Sequence, residues 1–229
     1  FLAGYNSPSA GGSDSSGYVN AARLLLRGER TAPARVPDGF PVNAFAAGTF
    51  VPLGFTAGPT TGTLVPTYPL GLPLHLAAIA RLTGLAAAPV VLNVLTTLAV
   101  LALTYALARE VGLPRRARAA LTLLFALSPL LLLYALQPMS DLLATAWTLA
   151  ALLCAWRTER HWAWGFGAGL ATAVAVFVRP TSALLLLPLV AALGLNLRAW
   201  LACGSLGAPA AILWAALNQR LFGAALQTG

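Results

Sequence analysis

Only six acidic side chains occur in the 229 residues of this chain, and two of them stand at polar breaks in apolar sequence. Asp14 lies in the stretch Ser13-Asp14-Ser15-Ser16-Gly17-Tyr18, and Asp141 closes the turn Gln137-Pro138-Met139-Ser140-Asp141. A third charge, Arg179, sits between an apolar run and Pro180, where solubility does not require one. A carboxylate can take a proton from a hydroxyl as a general base. An arginine offers paired donors that match phosphate oxygens. Together they suit transfer from a phosphate-linked donor, with Asp14 activating the acceptor and Arg179 stabilising the departing phosphate. Each residue also has a plainer reading. Asp14 fits a helix N-cap, and Asp141 fits a cap on the next apolar helix after the break at Pro138. Arg179 fits a cation snorkelling to the membrane interface. For Asp141 the cap and the functional role are compatible.

The remaining chemistry-bearing residues say less. Gly165-Phe166-Gly167-Ala168-Gly169 has no strand before it and lies in an apolar run, so close helix packing through small residues is expected rather than dinucleotide binding. His75 stands alone and fits a polar contact in a helix, and no Cys/His/Asp spacing resembles a transition-metal site. Neither a cofactor nor a divalent metal is called for by these residues. Cys154 and Cys203 fall in apolar stretches and read as small buried hydrophobes.

These residues must be held by elements that the composition constrains strongly. Hydrophobic residues make up 59% of the chain and charged residues 9%, the mean hydropathy is +0.78, and soluble domains average about 25% charged. The chain is therefore expected to live in a bilayer as one integral membrane domain, an all-α polytopic bundle. All fourteen basic residues are Arg. Their spacing along the chain argues against nucleic acid as a partner, which would want a concentrated basic patch.

From Tyr5 to about residue 86 the chain reads as a long loop outside the hydrocarbon. Two interfacial helices are predicted within it. The first, over about 14–27, places Tyr18, Ala21, Ala22, Leu25 and Leu26 on one face and stops at Gly28. The second, over about 68–83, is short for a span and carries His75 and Arg81. Beyond it, six spans are predicted at about 87–108, 118–136, 140–156, 162–178, 180–196 and 199–218. Trp residues fall mostly near their ends, as interfacial aromatics do.

Arginine orients them. The first, third and fifth breaks hold Arg109, Arg115, Arg116, Arg118, Arg157, Arg160 and Arg198, whereas the alternate breaks hold only Arg179. Positive charge collects in cytoplasmic loops, so the long loop, Asp141 and Arg179 are expected on the opposite, extracytoplasmic face. The opening Phe1-Leu2-Ala3-Gly4, without Met, and the soft end at Gln227-Thr228-Gly229 read as a chain cut from a longer one.

The ordered series GGSDSSGYVNAARLLLRGE, TLVPTYPLGLPLHLAAIARLTG, LSPLLLLYALQPMSDLLATAWTLAALL, VFVRPTSALLLLPL and LNQRLFGAALQTG resembles the N-terminal half of GT-C fold glycosyltransferases. Within that superfamily it resembles bacterial Rgt-like enzymes and, more distantly, aminoarabinose transferases and protein O-mannosyltransferases. The resemblance implies a bacterial inner-membrane enzyme that moves a sugar, with inversion, from a polyprenyl-phosphate donor to an extracytoplasmic acceptor. It implies that Asp14 is catalytic and that Asp141 and Arg179 bind substrate, with Tyr18, Tyr68, Gln137 and His75 lining the site. Unlike many relatives, the chain has no acidic neighbour beside Asp14. A flippase or secondary transporter for a lipid-linked sugar is the alternative. Internal repeats and broken helices at mid-depth would mark it, and the chain shows no repeat.

Overall fold

The computed structural model of the chain describes residues 11–35, 38–39 and 49–227. The start of the predicted loop at Tyr5 and the last two residues lie outside them. The chain is mostly helical, 70% helix and 4% strand.

Helix α1 spans Gly12–Leu26, two residues earlier than expected, with Gly11 rather than Ser13 or Asp14 at its N-cap position. Asp14 falls instead in the first turn, where an anion meets the positive end of the helix dipole. The predicted stop is where expected. Gly28 adopts φ +74, its N–H bonds the Leu25 carbonyl and the Glu29 N–H bonds the Leu24 carbonyl. That left-handed turn closes the helix and satisfies its last carbonyls.

The loop then forms a feature the all-α expectation lacked. Strands β1 (Ala32–Pro33), β2 (Phe55–Ala57) and β3 (Thr63–Pro66) make a small antiparallel sheet in the order β1-β3-β2. Val65 faces Thr56 across it, and Leu64 and Val65 are buried. Helix α2 (Gly71–Thr83) follows, ended by Gly84 at φ +80. Its Leu72, Leu76 and Ala77 pack with Tyr18 and Ala22 of α1.

The apolar remainder consists of α3 (Ala88–Glu110), α4 (Arg115–Ala126), α5 (Pro129–Leu136), α6 (Ser140–Arg157), α7 (Trp164–Val178), a 3₁₀ helix (Pro180–Leu185), α8 (Leu186–Leu193) and α9 (Leu197–Phe222). Helices α3 and α9 are long and apolar enough to cross a membrane, and α4 with α5 adds a third crossing if the pair is counted as one span bent by 55°. The bend falls at Ser128-Pro129, where proline ends one helix and begins the next. Helix α7 and the 180–193 segment are apolar but shorter. The span expected over 180–196 is thus a 3₁₀ helix running into α8 and stopping at Gly194.

Contacts order these segments between two poles. One core gathers α1 and α2 with Leu92 of α3, Leu143 and Ala144 of α6 and Val178 of α7. At the far pole Glu110, at the end of α3, pairs with Arg157 at the end of α6. Helices α3 and α6 therefore run the same way, and α4–α5 returns between them. Helix α7 runs back beside α6, since Arg179 at its end meets Asp141 at the start of α6.

The approach of α7 to α9 rests on glycine. A Cβ on Gly165 would lie 2.4 Å from the Ala199 carbonyl oxygen, and one on Gly169 would lie 2.1 Å from that of Cys203. These glycines, four apart, let two backbones touch, as the small-residue pattern predicts.

Candidate functional site

The site grows from the first turn of α1. Asp14 is half-buried there, and Ser15, Gly17 and Tyr18 beside it are buried. Tyr68, in the extended segment before α2, donates its hydroxyl proton to Asp14 Oδ1 at 2.5 Å and lies 2.7 Å from Ser13 Oγ. Ser13 Oγ in turn donates to Asp14 Oδ1 at 3.3 Å. Among the described residues Asp14 Oδ2 accepts no hydrogen bond, so one carboxylate oxygen is positioned and the other is left open.

Glycine makes this geometry possible. A Cβ on Gly17 would meet the Tyr68 ring at 2.7 Å and the Gly54 Cα at 3.0 Å. Gly54 itself sits at φ +83, a conformation that favours glycine, and crosses Gly17 backbone to backbone.

Tyr18 joins Asp14 to the other charges. Its ring lies 5.0 Å from that of Tyr68, tilted by 41°. Burial pushes its hydroxyl above the ordinary tyrosine range; a hydrogen bond with the Ser140 side chain opposes that, the Asp14 carboxylate reinforces it, and the Arg179 guanidinium lowers it slightly. Ser15 Oγ reaches Met139 Sδ at 3.8 Å. The start of α1 is thereby docked on the Met139-Ser140-Asp141 turn, and there Arg179 Nη1 donates to Asp141 Oδ1. The Arg179 side chain keeps 46% of its surface exposed and Asp141 keeps 22%, so this ion pair is open to a competing anion.

Five of the residues singled out from sequence come together here. Asp14, Tyr68, Asp141 and Arg179 gather around Tyr18 and Ser140 at one pole. Gln137 is exposed at the neighbouring break, and among the described residues its side chain bonds none of the others. His75 faces elsewhere. The Trp147 indole N–H donates to His75 Nε2 at 3.2 Å, and Nδ1 lies 2.7 Å from the Gly71 carbonyl. An indole can only donate, so His75 is the neutral tautomer with its proton on Nδ1, tying α2 to α6.

No protein-family model matches the chain, and no curated protein or solved structure matches it either.

The Tyr68 hydroxyl is raised above the usual value near 10, chiefly because its hydrogen bond to the Asp14 carboxylate favours the neutral phenol. It therefore stays a donor to Asp14 at neutral pH. No group of three or more His, Cys, Asp or Glu side chains that could hold a metal ion occurs among the described residues. Ser13, Ser140, Gly17 and Gly54 were not foreseen as site residues. The two serines adjoin the predicted acids, which is a usable signal, whereas nothing local in sequence points Gly54 toward Gly17.

A cleft lined by Tyr68, Phe177, Trp214 and Asn218 opens next to Tyr68. It shares Phe177 and Trp214 with an apolar groove of about 380 Å³ that runs along α7, the 3₁₀ helix and α9 past Gly169, Cys203 and Gly207.

Proposed function

We propose that the chain is a membrane glycosyltransferase of GT-C type, using a polyprenyl-phosphate sugar as donor and an extracytoplasmic glycan, lipid or protein as acceptor. The observation that carries this reading is the gathering of Asp14, Tyr68, Tyr18 and the Arg179–Asp141 pair at one pole. The ordered motifs resembling that superfamily support it, as does the groove adjoining the Tyr68 cleft, whose apolar lining suits an isoprenoid tail. Six apolar segments would cross the inner membrane, with the arginine-rich breaks in the cytoplasm.

In the reaction, Asp14 Oδ2 accepts the proton of the acceptor hydroxyl as its oxygen attacks the anomeric carbon. The new carbon–oxygen bond forms on the face opposite the bond to phosphate, so the configuration inverts. The phosphate departs with the electron pair of the broken bond, and Arg179 exchanges its contact with Asp141 for the phosphate oxygens. Tyr68 and Ser13 hold Oδ1 so that Oδ2 faces the acceptor.

The test is transfer from a radiolabelled polyprenyl-phosphate sugar in membranes carrying Asp14→Asn. Transfer should fall by about 10²–10⁴, the usual worth of a positioned general base; full retention would remove Asp14 from this role. Orientation is tested separately by replacing Cys154 and Cys203 and placing a cysteine at exposed Gln137. It should label from outside intact cells, and labelling only after permeabilisation would invert the topology.

A further inference from the structure

A second crevice lies at the opposite pole, where α7 and α9 begin. Because Gly165 and Gly169 bring the two backbones into contact with Ala199 and Cys203, the larger side chains on either side splay outward. The result is a cavity of about 340 Å³ lined by Trp162, Phe166, Arg198, Leu201, Ala202 and Ser205. Trp162 stacks on His161 with ring centroids 5.7 Å apart and tilts onto Phe166 at 5.9 Å. That makes an aromatic wall, left 40% exposed at both Trp162 and Phe166.

The charge at its mouth is what distinguishes it from a generic apolar groove. Arg157 and Arg160 at this pole are bound to Glu110, and Arg118 lies 5.2 Å over the Tyr105 ring. Arg198 is exposed and, among the described residues, has no carboxylate partner; the crevice lining contains no acid. An unneutralised guanidinium above an aromatic and aliphatic slot fits a molecule with an anionic head and an apolar chain.

We infer that this crevice binds an anionic phospholipid of the surrounding membrane, its phosphodiester held by Arg198 and one acyl chain laid against Trp162, Phe166 and Leu201. Arginine between membrane helices on the cytoplasmic side is suited to that headgroup because its planar fork bonds two phosphate oxygens at once. The site is separate from Asp14, so it stands or falls independently of the transfer reaction. It rests only on the chain being embedded in a bilayer.

Native mass spectrometry of the purified full chain with added phosphatidylglycerol or phosphatidylcholine tests it. The wild type should retain phosphatidylglycerol preferentially. Arg198→Gln should lower that retention about fivefold, the worth of one interfacial arginine, and lower that of phosphatidylcholine, whose choline already neutralises its phosphate, by much less. Arg198 makes no described contact that folding would miss, so the variant is a fair probe. Phe166→Ala should lower retention of both lipids, since it removes wall rather than charge. Arg116→Gln, exposed but outside the crevice, should retain lipid as the wild type does. Equal retention of the two lipids by the wild type, an unchanged Phe166→Ala variant, or equal losses in Arg116→Gln and Arg198→Gln would each overturn the inference. The last of these would mean diffuse surface charge rather than a site.

Discussion

Asp14 and Glu110 are both carboxylates near the end of a helix, each at a different pole of the same bundle, and their surroundings differ in kind. Glu110 keeps only 4% of its side chain exposed and spends both oxygens on arginine, Oε1 on Arg157 at 2.8 Å and Oε2 on Arg160 at 2.6 Å. Arg157 is fixed further by lying 4.9 Å over the Trp164 ring. Nothing is left for a ligand. Among the described residues Asp14 has only hydroxyl partners, all on one oxygen, and the cation at its pole is paired with Asp141 and half open to solvent. A saturated carboxylate clamps α3, α6 and the turn before α7, whereas a half-satisfied one keeps acceptor capacity. Residue type alone does not separate the two; the count of occupied lone pairs does.

The sharpest way to break this contrast is a pair of isosteric changes. Asp14→Asn should abolish most transfer while leaving the denaturation midpoint in detergent within about 0.5 kcal/mol of wild type, as a change outside the core does. Glu110→Gln should do the reverse. Losing the charge of a carboxylate held by two arginines, one of them exposed, should cost up to about 1 kcal/mol of stability, with transfer per folded molecule preserved. If Glu110→Gln lost activity at full stability, the two poles would not divide as argued.

Next in size is Gly169→Ala, whose new methyl would sit 2.1 Å from the Cys203 carbonyl oxygen. Overpacking of this kind costs about 1–3 kcal/mol, read as a lowered thermal midpoint. The same substitution at Gly204, which has open space around it, should cost far less and serves as its control.

The smallest effect belongs to Tyr68→Phe. Transfer should fall roughly fivefold, since one hydrogen bond to a charged group at a site open to water is worth about 1 kcal/mol. The variant also has a pH signature. The Tyr68 hydroxyl is held above its unfolded value near 10, so the folded chain keeps a proton that the unfolded chain gives up. Its contribution is complete below about pH 10 and is lost as pH rises through the folded value. The phenylalanine variant should lack that alkaline loss, and one late-titrating phenolate should vanish from its ultraviolet absorbance while that of Tyr18 remains.

The parts of this architecture that were legible in sequence are those written in local signals. Gly28 after an amphipathic run gave the end of α1, Pro and Arg gave the breaks between apolar segments, and the arginine asymmetry separated the poles now marked by Glu110 and Asp14. The sheet was not legible because its strands are two to four residues long and too short for alternation to register. The bend between α4 and α5 left a signal in Ser128-Pro129 that continuous hydrophobicity concealed. The Asp14–Tyr68 bond joins residues 54 apart, and its geometry depends on Gly54 meeting Gly17, a relation that no spacing rule encodes. His75 looked like a lining residue by position, yet its Trp147 and Gly71 partners show its nitrogens tied into the scaffold.

Gly71 has one more consequence. A Cβ there would fall 2.4 Å from the Phe177 carbonyl carbon and the Val178 nitrogen, so the peptides just after Tyr68 and just before Arg179 are in direct contact with no side chain between them. Such a joint has no slack. The segment that carries Tyr68, whose hydroxyl holds Asp14, is thereby set at a fixed distance from the chain that carries Arg179. A larger residue at position 71 would act as a wedge, forcing Tyr68 and Arg179 apart.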